Sequence, residues 1–322
     1  MLRRNLMLTA AGGLALPAVV RAQPGWPDRP VRIVVPYPPG GSTDAVARVI
    51  QAPLSEALGR PIVIENKGGG NGSLGAGEVA RAQPDGYTWL LAYDNQATNE
   101  SITRLPFRTM TDFTPTTLVA TGPLALVANA QTPFRVWADI VAEAKAKPDS
   151  LSYATSGIGG LAHVATVRLS NEVGIRMTHV PYRGGGPALQ DALAGHVPLF
   201  TSNVVIIKQH ILAGRLVPIG VTTATESRHV PGVKSFAELG VAGFEALTWW
   251  ALMGPKGVPD PIVRKMHATI AKVVADPAVR GRLEDQGSDV VASSPEETGR
   301  FLADQVERWG KVIRDNGITA DT

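Results

Sequence analysis

Val31-Arg32-Ile33-Val34-Val35-Pro36-Tyr37-Pro38-Pro39-Gly40-Gly41-Ser42-Thr43-Asp44 sets a β-branched run, a proline- and glycine-rich turn and the start of a helical pattern in immediate succession. Branched side chains favour a strand over Val31 to Val35, the prolines and glycines stop it, and a helical pattern begins near Asp44. A strand that turns straight into a helix points to an α/β fold. It also aims the helix's free N–H groups and the positive end of its dipole at the turn. Between Tyr37 and Asp44 there is no Lys, Arg, His or Cys. The turn therefore reads as a place where amides and hydroxyls hold an anion such as a carboxylate, more than a place for chemistry.

Outward from this turn, short β-branched runs alternate with longer helical ones, the pattern of an α/β protein with largely parallel sheets flanked by helices. Strands are expected over Val31 to Val35, Ile62 to Glu65, Tyr87 to Ala92, Leu124 to Ala128, Leu151 to Ala154, Thr178 to Val180, Val217 to Thr222 and Leu247 to Met253. Asp260-Pro261, Asp276-Pro277 and Ser294-Pro295 each read as a cap followed by proline at the first helical position, and Glu297 completes a capping box with Ser294. In the last of these helices Phe301, Leu302, Val306, Trp309 and Ile313 form one apolar stripe. Three late helices without a convincing strand of their own are expected to cover a sheet laid down earlier. The chain then divides into a first lobe, residues 26–122 plus 249–322, and a second, residues 123–248, with crossings near Leu118 to Val127 and Ala246 to Met253.

The 322 residues include 31 Lys and Arg and 28 Asp and Glu, and no Cys. Arg3 and Arg4, the apolar stretch Leu6 to Val20 and the small residues ending at Ala22 have the three regions of a secretory signal, with cleavage expected after Ala22. Adjacent arginines also suit a twin-arginine signal. The segment holds three arginines and no acid, so the remainder carries 28 groups of each sign. Near-neutrality without a basic cluster gives no electrostatic reason to expect nucleic acid or an anionic membrane as partner. Without cysteine there is no disulfide framework, thiolate nucleophile or iron–sulfur cluster. The six histidines show no metal-binding spacing, so neither a metal nor a cofactor is expected. No G-x-S-x-G is present either, which removes the nucleophile-elbow reading.

Several segments carry a resemblance over essentially the whole exported chain. Val34 to Asp44, Ile64-Glu65-Asn66-Lys67, Gln83-Pro84-Asp85-Gly86-Tyr87-Thr88, Tyr153-Ala154-Thr155-Ser156-Gly157, His179-Val180-Pro181-Tyr182-Arg183-Gly184 and Trp309-Gly310 are similar, in order and spacing, to the Bug family. These are the extracytoplasmic solute receptors of tripartite tricarboxylate transporters. The resemblance implies a two-lobed periplasmic binding protein fold of the Venus flytrap type. It further implies a monomer that closes on a small organic acid in the periplasm and hands it to the membrane subunits of such a transporter.

The candidate ligand contacts follow from both readings. In the first loop they are Tyr37, Gly40, Gly41, Ser42, Thr43 and Asp44, the glycines for backbone approach and Asp44 as cap or orienter. A second loop offers Gly70, Asn71, Gly72 and Ser73. The second lobe repeats the device with Thr155, Ser156 and Gly157 ahead of a helix containing His163, which reads equally as ligand contact or packing residue. Gly184, at another helix entrance, and Ser202 with Asn203 complete the set. Where relatives often carry acids, this chain has Pro198 and Thr201-Ser202, which removes the natural partner of a ligand ammonium and favours an uncharged-tail or dicarboxylic acid over an amino acid.

Two rival readings have concrete features. Gly70, Gly72 and Gly75 spell a G-x-G-x-x-G after a strand, with Asp94 downstream, the formal fingerprint of a nicotinamide-dinucleotide oxidoreductase. Against it, the loop follows the second strand of its unit and the signal segment sends the chain away from cytoplasmic NAD. An exported enzyme acting on a small carboxylate would need an acid/base pair such as Asp94 with His163, for which the sequence supplies only the residue types.

Overall fold

The computed structural model describes residues 25–319; the signal segment and its cleavage point lie outside them. The opening stretch folds as β1 (Val31–Val35) followed by α1 (Ser42–Leu58), which begins two residues earlier than the pattern suggested and so takes Ser42 and Thr43 into its first turn. Next come β2 (Ile62–Asn66), α2 (Ser73–Ala80), β3 (Thr88–Tyr93), and the short α3 (Asn99–Ile102) and α4 (Thr109–Asp112). A 17-residue strand, β4 (Phe113–Asn129), then leads to α5 (Trp137–Ala146), β5 (Ser152–Thr155), α6 (Leu161–Val173), β6 (Thr178–Pro181) and α7 (Gly185–Ala194). The rest is β7 (Leu199–Asn203), α8 (Val204–Leu212), β8 (Leu216–Val221), β9 (Leu247–Pro255), α9 (Asp260–Ala275), α10 (Pro277–Gln286), β10 (Asp289–Val290) and α11 (Pro295–Asp315).

Two sheets form, joined through one strand. In the first, β1 pairs in parallel with β2 and β3, and β9 then runs antiparallel between β3 and β4. In the second, β5 is parallel to β6 and β7, while β4 runs antiparallel to β7 and β8. The parallel pairs are the β-α-β units, and β4, the strand shared by the two sheets, takes part in every antiparallel pair except β3 with β9. β4 changes partners abruptly: Pro123 pairs with Leu247 of β9, and Leu124 pairs with Asn203 of β7.

Both faces of each sheet are buried, and alternate residues feed opposite cores. Val31, Ile33 and Val35 pack under α1, α9 and α10, whereas Val34 faces Ala76, Val79 and Leu302. In the second half of β4, Leu124 and Leu126 join one core and Ala125 and Val127 the other. This is the two-lobed arrangement of a periplasmic binding protein.

The end of the chain departs from the expectation that it covers the first lobe alone. Leu302 of α11 lies in the core with Leu90 and Trp249, but Trp309 and Ile313 lie in the core with Leu124 and Tyr153. At about 1.5 Å per residue, the 21 residues of α11 are long enough to serve both lobes. Its start is as the sequence indicates: Ser294 Oγ accepts from Glu297 N–H at 3.2 Å, and Glu297 Oε2 accepts from Ser294 N–H at 2.9 Å. Asp276 likewise accepts from Ala278 N–H and Val279 N–H. Asp260, by contrast, lies inside α9 and pairs with Arg264 at 2.7 Å instead of capping it.

Candidate functional site

The turn after β1 is braced by Asp44. Its carboxylate accepts from the Gly40 N–H at 3.1 Å, from Asn66 Nδ2 at 3.1 Å and from Arg48 Nε at 3.2 Å. Thus engaged, Asp44 shapes the loop, and neither it nor Gly40 lines the cavity beyond. Gly41 is the N-cap of α1 without a side chain to satisfy the first turn, so the N–H groups there remain available.

That cavity lies between the lobes. Tyr37, Gly41, Ser42, Thr43 and Tyr93 line it from the first lobe, and Ser156, Gly184 to Pro187, Ser202, Asn203 and Ile206 from the second. Three helices begin at its wall: α1 after Gly41, α7 after Gly184, and α8 after Asn203. Their N-termini add partial positive charge on three sides of a space lined by no charged side chain. Asn203 joins the lobes here, donating through Nδ2 to Ser42 Oγ and to the Tyr93 hydroxyl, each at 2.9 Å, while its Oδ1 is buried without a partner. The hydroxyls of Thr43, Ser156 and Ser202 make no hydrogen bond with other described residues. The cavity measures about 30 Å³, room for one or two waters.

A wider groove of about 1150 Å³ opens outside, sharing Tyr37, Pro38, Ser156 and Gly184 with the cavity. The second glycine loop, Gly70, Asn71, Gly72 and Ser73, lines this groove and not the cavity. Asn71 also bridges the lobes: its Nδ2 donates to the Ile158 carbonyl at 2.9 Å and to Asn99 Oδ1 at 2.8 Å. Gly157 approaches the same asparagine, for a Cβ there would stand 2.7 Å from Asn71 Oδ1.

Two candidates lie behind the wall. Thr155 is fully buried, its Oγ1 2.7 Å from His179 Nε2 and 3.0 Å from the Gly157 carbonyl that it donates to. His163 accepts the Gly159 N–H at Nδ1, 2.9 Å away, and stacks on His179 with ring centroids 3.8 Å apart. Burial lowers its pKa to about 4, and burial together with His163 lowers that of His179 to about 3, so both rings are neutral near pH 7. The pair supports the Ser156 loop from below.

Asp94 is spoken for in a way that weakens the dinucleotide reading. It is 2% exposed, Oδ2 accepts from the Thr248 hydroxyl at 2.5 Å, and Oδ1 accepts from the Leu161 N–H at 3.3 Å. A carboxylate of the first lobe thus occupies the N-terminus of α6 in the second, and burial pushes its pKa up to about 7. No free acid remains there for a ribose hydroxyl. Gly75 has a packing reason of its own, since a Cβ would lie 2.9 Å from the Lys67 carbonyl and 3.0 Å from Pro36.

Sequence reasoning missed Pro38, Pro39, Tyr93, Gly185, Gly186, Pro187 and Ile206 as lining residues. The run Gly184-Gly185-Gly186-Pro187 was the one available signal; nothing local marks Tyr93 or Ile206.

The chain matches the family model for the tripartite tricarboxylate transporter family receptor, TctC, over residues 46–318. It belongs to this family. Among curated relatives it is 36% identical over 298 residues to a UPF0065 protein of Pseudomonas sp. strain P51, covering 92% of this chain and 89% of that one. It is 33% identical over 311 residues to protein BugT of Bordetella pertussis, covering 96% and 94%. Among solved structures, Rpa4515 of R. palustris with adipate has a TM-score of 0.88 at 33% identity, covering 91% of this chain and 99% of that one. MatC of Rhodopseudomonas palustris with bound malate has a TM-score of 0.85 at 31% identity, covering 89% and 100%. This TctC-family chain is thus a solute-binding receptor of the Bug type.

Proposed function

We propose that this receptor captures a mono- or dicarboxylate in the periplasm and delivers it to a tripartite tricarboxylate-type transporter as a monomer, after export and cleavage behind Ala22. The observation that carries the reading is the convergence of three helix N-termini, drawn from both lobes, on a cavity where the hydroxyls of Thr43, Ser156 and Ser202 are left without partners among the described residues. Such a site stabilises one carboxylate through charge-assisted hydrogen bonds without a basic side chain. The relatives solved with adipate and malate make the same class of ligand the natural choice here. Amino acids fit poorly, because no Asp or Glu lines the cavity or the groove to accompany a buried ammonium.

Closure then follows from the geometry. Ligand contacts made by Ser42 and Thr43 on one lobe and Ser156 and Ser202 on the other exist together only when the lobes meet, which favours the closed state. We place the hinge at the two points where the chain passes between sheets, within β4 near Pro123 and at the start of β9 near Leu247, with the units 26–122 plus 249–322 and 123–248 moving relative to one another apart from the shared α11.

A thermal-shift screen of organic acids, followed by calorimetric titration of the best one, tests this. A ligand at a hundred times its Kd stabilises the fold by about 2.7 kcal/mol. One-to-one binding with the acid recovered unchanged supports a receptor. Conversion of the acid would identify an enzyme, and absence of any stabilising acid would remove the carboxylate reading.

A further inference from the structure

The outer groove is lined by 21 residues, among them two arginines and no acid. Arg104 belongs to the first lobe and Arg183 to the second, both are exposed, and neither forms an ion pair among the described residues. The backbone that carries them is pinned on either side. Tyr182 N–H donates to the Thr155 carbonyl and Gly184 N–H to the Ser156 carbonyl, each at 3.0 Å, so Arg183 stands beside the loop that supplies Ser156 to the inner cavity. Thr103 N–H donates to the Asn99 carbonyl at 3.0 Å, and Leu105 packs against the core containing Phe107. Acids adjacent in sequence or structure are already engaged: Asp191 accepts from the Tyr182 hydroxyl at 2.7 Å, and Glu100 accepts from the Thr109 N–H.

We propose that Arg104 and Arg183 form a second anion subsite, so that the ligand is an elongated dicarboxylate with one carboxylate in the inner cavity and the other in the groove between the two arginines. This rests on the carboxylate-receptor reading and narrows it. The two ends are recognised by different physics. The inner carboxylate is buried among amides and hydroxyls, where a fixed array replaces its water. The outer one stays partly hydrated between flexible cations, where attraction is weaker and screened by salt. Because the two cations sit on opposite lobes, a dianion that reaches both adds to closure, and a monoanion of equal length does not.

The test compares α,ω-dicarboxylates from succinate to pimelate with monocarboxylates of the same chain length, by calorimetric titration at low and physiological ionic strength. In the wild type the best dicarboxylate is expected to bind about tenfold more tightly than its monocarboxylate counterpart at low salt, with the ratio shrinking as salt rises. In the Arg104→Gln, Arg183→Gln double variant the ratio falls to about one, while Arg282→Gln, an exposed arginine outside the groove, keeps it. A wild-type ratio near one at every length overturns the proposal, as does a ratio that survives in the double variant. Equal weakening of both acid types also overturns it, for that would make the arginines a general attraction for anions. If no acid of either type binds the wild type, the receptor reading fails first, and the two failures are told apart.

Discussion

Asp94 is the residue whose removal has the most sharply defined consequence. Its carboxyl is buried between Thr248 and the first turn of α6, and its pKa is raised to about 7 from an ordinary 3.8. Between roughly pH 4 and pH 7 the folded protein holds a proton on Asp94 that the unfolded chain has released, so this group contributes less stability as pH rises through that window. Three units correspond to about 4 kcal/mol in all. With about 300 ordered residues, that is roughly 6 °C in Tm. His163 and His179 act in the opposite sense: their lowered pKa values mean that the unfolded chain takes up protons first, and stability falls as pH drops below about 6.5. The wild-type profile therefore mixes opposing slopes, and the informative quantity is the difference between wild type and Asp94→Asn. Asparagine can accept from the Leu161 N–H through its Oδ1 and donate to the Thr248 hydroxyl through its Nδ2, and it cannot ionise. The variant should gain on the wild type from about pH 4 to pH 7 and level off above that, with the curves converging at lower pH. The assay is differential scanning calorimetry across that range. A difference that stays flat would refute the buried, protonatable carboxyl. Titration of ligand at pH 6 in buffers of different ionisation enthalpy should also show proton uptake, if Asp94 regains its burial on closing.

Four further outcomes follow from the cleft. Asn203→Leu removes the donors to Ser42 and Tyr93 and should weaken binding of the best acid by about tenfold, with a larger radius of gyration in small-angle scattering at saturation. Alanine at Thr43, Ser156 or Ser202 should each cost about tenfold in calorimetric affinity, whereas Thr155→Ala should lower Tm more than affinity, since Thr155 faces His179. A Cβ at Gly159 would stand 1.8 Å from Ile102 Cδ1 across the lobes, so Gly159→Ala should impair ligand-induced compaction, with Ile102→Ala restoring part of it. Ser202→Asp places a carboxylate beside the bound one and should reduce acid affinity by a hundredfold or more in the same titration.

The parts of this molecule that were readable in the sequence are those set by local chemistry. Val31 to Val35 and the glycine turn needed only β-branching and the absence of cations, and Ser294-Pro295-x-Glu297 needed only cap geometry. β7 was not readable, because Leu-Phe-Thr-Ser-Asn lacks the β-branched run that marked the other strands, and its identity comes from pairing with β4 and β5. That strand delivers Ser202 and Asn203 and launches α8, so the sequence offered these two residues without showing that a helix begins directly after them at the cavity wall. Thr155 and His163 carry the right chemistry at the right positions in the chain. Their side chains are turned inward by the His179 stack, a contact with no local signature. Asp94 looked like a ribose ligand because spacing says nothing about which helix terminus a carboxylate will meet.

The shared helix α11 constrains how the two halves can travel. Two crossings of the chain, one within β4 and one at the start of β9, would by themselves permit both bending and twisting about the connection. A third crossing changes that, because Leu302 is sunk in one body while Trp309 and Ile313 are sunk in the other, all on a single rod. Twisting would drag one set of these side chains out of its socket, and removing a large buried side chain from a packed core costs about 3–5 kcal/mol. The rod therefore acts as the spine of a book: the covers swing about one axis, and the pages part along the edge away from it.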